Sequence, residues 1–440
     1  MTSAAATSRD GARAERGSPS LRSRRWPLWT GALALGGAVL GGAWCERGLS
    51  QARLLAKHAL WSETHAPVDR YLWLHPTSVE ANLLCAEALV KDDSLPIGRR
   101  VGGAVEHLRR IPDSAPEAAA ARVAEARVHL FLNYSPTAAE GAIRRGLAIA
   151  PDDPDANYLR WKLLDLTRRS ESAEPFFWKV YESKGPKERA LILREWYLSQ
   201  FYPVTSTMEL DRKMAFRLTP SDDASGVESN RLLRFRDSEP RSPLCNAAMA
   251  RWFRSEGDLQ FALELLDKAA ASMTGEELLD PFFRGTLIDV LLDLGELDRA
   301  GEEFDRWAPT DRGRDYLLAR GRVLEDARDD PAGAGEAYGE SLREWPGPID
   351  WRTMHRAANS LARAGAQEGA LAMRARAASL EQYMDDKLHG RLRMVLGQLD
   401  NPEALAEVVD FYRRIGRDRE ADAWSGYIKN LDRREESSGG

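Results

Sequence analysis

The sequence predicts an all-α protein: antiparallel helix hairpins stacked into a solenoid, behind one apolar amino-terminal helix. Three observations carry that expectation. Ala, Leu, Arg and Glu dominate, and no alternating Val/Ile/Thr runs bounded by turn dipeptides are present. A glycine, an alanine five residues on and a large residue four further recur along the chain. Near the start, nineteen consecutive residues carry no charge. With 440 residues, 43% hydrophobic and 30% charged, the chain can build a large core in a soluble body.

Residues 1–25 hold six arginines against Asp10 and Glu15 among Ala, Ser and Gly, a composition that predicts disorder. Trp26 to Trp44, WPLWTGALALGGAVLGGAW, then runs without a charge. As a helix it would rise roughly 28 Å, close to the hydrocarbon thickness of a bilayer. Trp26, Trp29 and Trp44 would stand at its ends as interfacial aromatics. Arginines ahead of it predict a cytoplasmic amino terminus and a periplasmic or extracytoplasmic body, hence a single-pass protein of a bacterial inner membrane. Two other readings stay open. Gly41, Gly42 and Ala43 suit a signal-peptide cut after Ala43, and SRRWPL half-resembles a twin-arginine export signal. Cys45 would suit a lipid anchor, against which bulky Trp44 stands. Gly37 with Gly41, and Ala38 with Gly42, would let two such helices approach as a homodimer.

The repeat is clearest in LGELDRAGEEFDRW, where Gly295 precedes Ala300, Phe304 and Trp307. Gly257 precedes Ala262, Leu266 and Ala269 at the same offsets. Gly365 does so for Ala370, Arg374 and Ala377, and Gly416 for Ala421, Ser425 and Ile428. A copy without glycine falls at Asp329 and Asp330, followed by Ala334, Tyr338 and Ser341. Each glycine or aspartate would end one helix and open the turn into the next. The small residue would sit where the two helices come closest, and the large one would fill the space between hairpins. The gap from Gly365 to Gly416 leaves room for an additional helix.

These units resemble tetratricopeptide repeats. The best match is RVAEARVHLFLNYSPTAAEGAIRRGLAIAPDDPDA, with Ala139, Ile143, Gly146 and Pro151 at the family's small, aromatic, small and proline positions. No unit carries the family's full Trp, Leu, Gly and Tyr set; Arg127 and Ala250 occupy two of its glycine positions. The resemblance spans roughly 68–200 and 243–430. It implies a right-handed superhelix that works as a scaffold for protein or peptide partners. The expected organisation is a disordered tail over 1–25, an anchor helix over 26–44 and a helical array over 45–202. A loop-rich boundary over 203–242 follows, with a short helix at Met208–Arg217, then a second array over 243–431 and a disordered tail over 432–440.

Chemistry is sparse. Net charge is −6 with both signs interspersed, which excludes the basic stripe of a nucleic-acid binder. Cys45, Cys85 and Cys245 form no CxxC pair or disulfide framework and read as small apolar residues. Seven histidines make no HExxH or His-x-His, so no metal or cofactor is expected. The glycines from Gly333 to Gly339 lack phosphate-loop spacing and read as close helix packing. No GxSxG, GxxxxGK[ST] or SxxK appears, and no enzyme is expected. Aromatics at Phe176, Phe177, Tyr181, Trp196, Tyr197, Phe201 and Tyr202 read as inter-helix core, with a stacking surface for glycan or peptide as the alternative.

In the family that the repeats resemble, the first helix of each hairpin lines a concave groove. Carried onto this chain, that puts Arg251, Arg254 and Asp289 there, and Arg352, His355 and Asn359 from the hairpin that starts near Trp351. Arginines beside an amide suit a carboxylate or an acidic extended peptide. The leading expectation is therefore a non-enzymatic, membrane-tethered adaptor gripping a protein partner; an envelope glycan-binding or export accessory protein is the alternative.

Overall fold

The structure is a computed structural model that describes residues 44–201, 224–275, 278, 280–307, 313–343 and 345–438. Every regular element among them is helical. The chain divides into two compact units, 1–91 and 92–440. In the first, α1 (44–57), α2 (Trp61–Leu74) and α3 (Val79–Lys91) are described. Gly48 of α1 lies so close to α2 that a Cβ there would sit 2.4 Å from the Pro67 carbonyl oxygen.

The membrane-anchor expectation is corrected here. Among the described residues, no helix is long and apolar enough to cross a membrane. Of the segment 26–44 only Trp44 is described, so the anchor, its pairing glycines and the tail over 1–25 lie outside the described residues. Trp44 itself opens α1, and the Arg70 guanidinium stacks on its ring at 4.1 Å. A helix that carries Glu46, Arg47, Arg53 and Lys57 is too polar to enter lipid.

The second unit begins with α4 (Ile97–Arg109), α5 (Ala118–Arg127), α6 (Pro136–Ile149), α7 (Pro154–Leu166), α8 (Glu174–Ser183) and α9 (Pro186–Phe201). It continues with α10 (Ala224–Ser238), α11 (Pro243–Ser255), α12 (Leu259–Ala270), α13 (Pro281–Leu294), α14 (Leu297–Asp305) and α15 (Arg314–Arg322). It ends with α16 (Pro331–Ser341), α17 (Trp351–Arg363), α18 (Gln367–Glu381), α19 (Asp386–Val395), α20 (Pro402–Arg414) and α21 (Asp418–Ser438). Several starts share one device. Asp153, Asp280, Asp330 and Asn401 each precede a proline, and each side chain accepts the N–H three residues on.

Helix ends show the repeat most directly. Among the described residues, the left-handed φ values belong to Ala59, Tyr134, Arg168, Gly257, Gly295, Asp329, Gly365 and Gly416. Five residues after each stands Thr64, Ala139, Ala173, Ala262, Ala300, Ala334, Ala370 or Ala421, all at most 1% exposed. The four repeat glycines and Asp329 are therefore the helix-closing hinges that the sequence predicts. After Gly295 the N–H of Glu296 reaches back to the Leu291 carbonyl at 2.9 Å, the wide closure of a Schellman turn. Tyr134 and Asp329 follow π turns, Val128–Leu132 and Val323–Ala327. There the reach is one residue longer, from Ser135 to His129 and from Asp330 to Leu324, each 2.8 Å.

Helices α5/α6, α7/α8, α11/α12, α13/α14, α15/α16, α17/α18 and α20/α21 are thus hairpins, and α19 fills the room ahead of Gly416. Contacts run mainly between sequence neighbours and between alternate helices such as α11, α13 and α15, as stacked hairpins require. Residues 202–223, including the predicted helix at Met208–Arg217, lie outside the described residues. Residues 224–238, expected as loop, form α10 because Leu232 and Phe235 give it one apolar face, both buried. At the other end α21 runs to Ser438, since its Arg and Glu residues are good helix formers.

Two apolar cores join the early and late hairpins. One links α5–α7 with α10–α15, the other α7–α9 with α16–α21. Trp196 of α9 donates to Glu420 of α21 at 3.1 Å, and Tyr412 donates to Gln200 at 2.9 Å. Phe177, Trp196 and Tyr197 are buried in the second core, so they present no stacking surface; Tyr202 lies outside the described residues. All three cysteines are buried and form no disulfide with one another, as small apolar residues would be. Gly335 brings α16 against Leu361, the close packing expected of the glycine cluster.

Candidate functional site

Because each hairpin stacks on the next, the first helices α11, α13, α15 and α17 lie side by side. With the end of α7 and the turn after it they enclose a cavity of ≈ 620 Å³. Four of the six sequence-predicted residues line it: Arg251, Arg254, Asp289 and Arg352. His355 and Asn359 lie on α17 off the lining. His355 Nε2 sits 3.3 Å from Glu381, and the Asn359 oxygen accepts from Arg374 at 3.2 Å.

The lining arginines on α11 are not open clamps. Arg251 bonds Glu171 at 2.8 Å and Asp315 at 3.0 Å, and reaches Thr286 Oγ1 at 3.2 Å. Arg254 bonds Asp289 at 2.8 Å and Asp293 at 2.6 Å. Arg322, from the far side of α13, takes the same two carboxylates at 2.9 and 2.6 Å. Asp289 and Asp293 stand one turn apart on α13, so each guanidinium spans both. Arg314 pairs with Asp350, whose other role is to cap α17 at Thr353. The ladder crosses five hairpins, from the α7/α8 turn to α17, and fixes the groove wall.

Burial and charge set the titration of the wall. Burial pushes the Asp289 carboxyl up, but Arg254, Arg322 and Arg251 outweigh it and leave it below the ordinary range. Burial lowers Arg251, and Asp315 and Glu171 more than restore it. Asp315 stays above the usual carboxylate value because burial dominates there. Asp165, at the end of α7, is pushed up to about 6 by burial, against the pull of Lys162 and Ser199. Arg352 differs from the other arginines of α11, α15 and α17 named here. It is exposed, lies over the Trp351 ring at 5.0 Å, and makes no ion pair among the described residues.

Sequence reasoning missed Glu171, Asp293 and Asp315. It took a few positions per helix and had no signal for the turn after α7, whose hinge is Arg168 rather than glycine. The lining holds no histidine or cysteine, and the carboxylates Glu171, Asp289, Asp293 and Asp315 are each held by a guanidinium. The groove therefore presents a polar wall whose carboxylates are already paired.

No family model and no curated protein matches the sequence. Loose likenesses appear among solved structures. One is the human IFIT1 dimer with PPP-AAAA, 12% identical over 87% of this chain and 81% of that one, with a TM-score of 0.30. Another is the APC/C hetero-tetramer Cut9–Hcn1, 12% identical over 88% and 76%, with a TM-score of 0.36. A third is the TPR domain of P58(IPK), 16% identical over 82% and 99%, with a TM-score of 0.28. Nothing about ligand or partner passes from them to this chain.

Proposed function

We propose that this chain is a non-enzymatic interaction scaffold that takes an extended segment of a partner protein along the groove of α11, α13, α15 and α17. The observation that carries this reading is the ≈ 620 Å³ cavity built from consecutive first helices. Its wall is pre-set by interlocked ion pairs, so little ordering cost falls on the scaffold when a partner docks. Arg352 at the lining supplies a guanidinium that no carboxylate of the described chain engages, ready for an acidic group of the partner.

Ser255 lines the cavity from an exposed position near the end of α11. Ser255→Trp should fill the groove without touching the core. The full chain carrying it is compared, as bait in an extract of its own source, with Leu371→Trp on the exposed face of α18. Capture of partner proteins should fall at least tenfold for Ser255→Trp alone, on the order of 1.4 kcal/mol or more. Equal capture by both variants would count against a groove-bound partner.

A further inference from the structure

Apart from the groove, His129 is a buried polar group that packing does not explain. His129 lies in the π turn that closes α5, is 7% exposed, and both ring nitrogens lack a hydrogen-bond partner. A buried polar group without a partner destabilises the fold, so a residue serving packing alone would be apolar. The repeat itself supplies the comparison. His129 stands five residues before its hinge, Tyr134. At the same offset the other hinges place Leu54, Leu163, Trp252, Val290, Leu324, Phe411 and, before Gly365, the buried Ser360. An imidazole stands where six of the seven other hinges place an apolar side chain, and its near charged neighbour is Glu125.

His129 also lines a cavity of ≈ 550 Å³ against α4. One wall is apolar: Val101 and Val105 are buried beneath it, and at Gly102 a Cβ would meet nothing within 4 Å. Arg109 and Arg110 stand at its edge with Glu106, and with Glu125, which Arg109 bonds, two guanidiniums face two carboxylates. Arg110 is turned to Glu106 at 2.5 Å. Arg109 bonds Glu125 through its Nε at 2.6 Å, and its side chain is exposed. Glu125 is itself held by Arg122 at 3.1 Å and lies 3.8 Å from His129 Nε2, beyond hydrogen-bond reach.

We infer that this cavity is a binding site for a small amphiphilic carboxylate, whose apolar body lies over Val101, Gly102 and Val105 and whose carboxylate meets Arg109 and His129. The exposed Arg109 guanidinium selects an acid over an amine, and the apolar wall selects a hydrocarbon body over a bare anion. The site is separate from the groove and does not depend on its partner.

The test follows the His129 ring signals of the full chain by NMR, assigned by their loss in His129→Gln or by through-bond correlation. Hexanoate is the probe, with hexylamine and acetate as controls. Hexanoate should shift the His129 signals saturably, hexylamine and acetate should not, and Arg109→Ala should weaken the response at least tenfold. Gly102→Leu, an exposed change that improves helix propensity, should close the cavity and abolish the shift. No saturable shift with hexanoate, an equal shift with hexylamine, or a response undiminished in both Arg109→Ala and Gly102→Leu would overturn the site. So would a high-resolution structure at saturating hexanoate that shows only a water bridging the ring to Glu125.

Discussion

Arg322 and Arg352 belong to neighbouring first helices yet do opposite work. Arg322 is nearly buried and holds both Asp289 and Asp293; Arg352 is exposed and holds neither. Removing Arg322 leaves two half-buried carboxylates with fewer partners, so Arg322→Ala should cost roughly 2–3 kcal/mol in denaturant unfolding. Arg352→Ala should cost under about 0.5 kcal/mol, as surface substitutions do, and weaken partner capture instead. A large stability loss at Arg352 would place it in the ladder. Glu140 offers a pH handle. Burial pushes its carboxyl up, but Arg169 and Arg160 outweigh burial and bring it to about 2. A carboxyl depressed in the folded state adds stability that is present above its unfolded value near 4.5 and is lost as pH falls toward 2. Glu140→Gln should therefore lower Tm at pH 7 and flatten its decline between those values; an unchanged acid limb in a pH series of thermal melts would contradict this.

Among elements, the hinge is the unit that specifies the hairpin. Gly295 has φ +81° and open space where a Cβ would stand, so Gly295→Ala meets only the backbone penalty, about 1 kcal/mol. Ala59 holds the same left-handed conformation with a Cβ already in place. Ala59→Gly should stabilise by roughly 0.5 kcal/mol. Opposite signs in the two melts are expected; matching signs would mean that local packing, not φ, governs these turns. This element also explains how much was readable. Gly257, Gly295, Gly365 and Gly416 announce their hinges because only glycine adopts the conformation freely, and Asp329 was found by its offset to Ala334. Ala59, Tyr134 and Arg168 pass unnoticed, because tertiary packing forces ordinary residues into the same shape. With Arg168 unread, Glu171 and the end wall of the groove were invisible too.

For the whole molecule, local periodicity carries no record of distant contacts. The hairpins and four of the six proposed groove residues followed from spacing and resemblance, whereas the joining of α8 and α9 to α19–α21 did not. Nothing near Trp196 in sequence indicates that its ring nitrogen will meet Glu420. Glu239 is similar: its carboxylate caps the first turn of α6 at Thr137 and Ala138, across about a hundred residues of chain. Such contacts hold the early helices to the later array and so complete the groove with Glu171 from the turn after α7. Site-specific photo-crosslinking tests whether that groove receives a partner. A benzophenone side chain is placed in the full chain at Ser255, at Arg352 or at Leu371 on the outer face of α18. The same partner protein should be trapped from Ser255 and Arg352 and not from Leu371. Adducts to a common partner at Leu371, with none at the two groove positions, would contradict the proposed function.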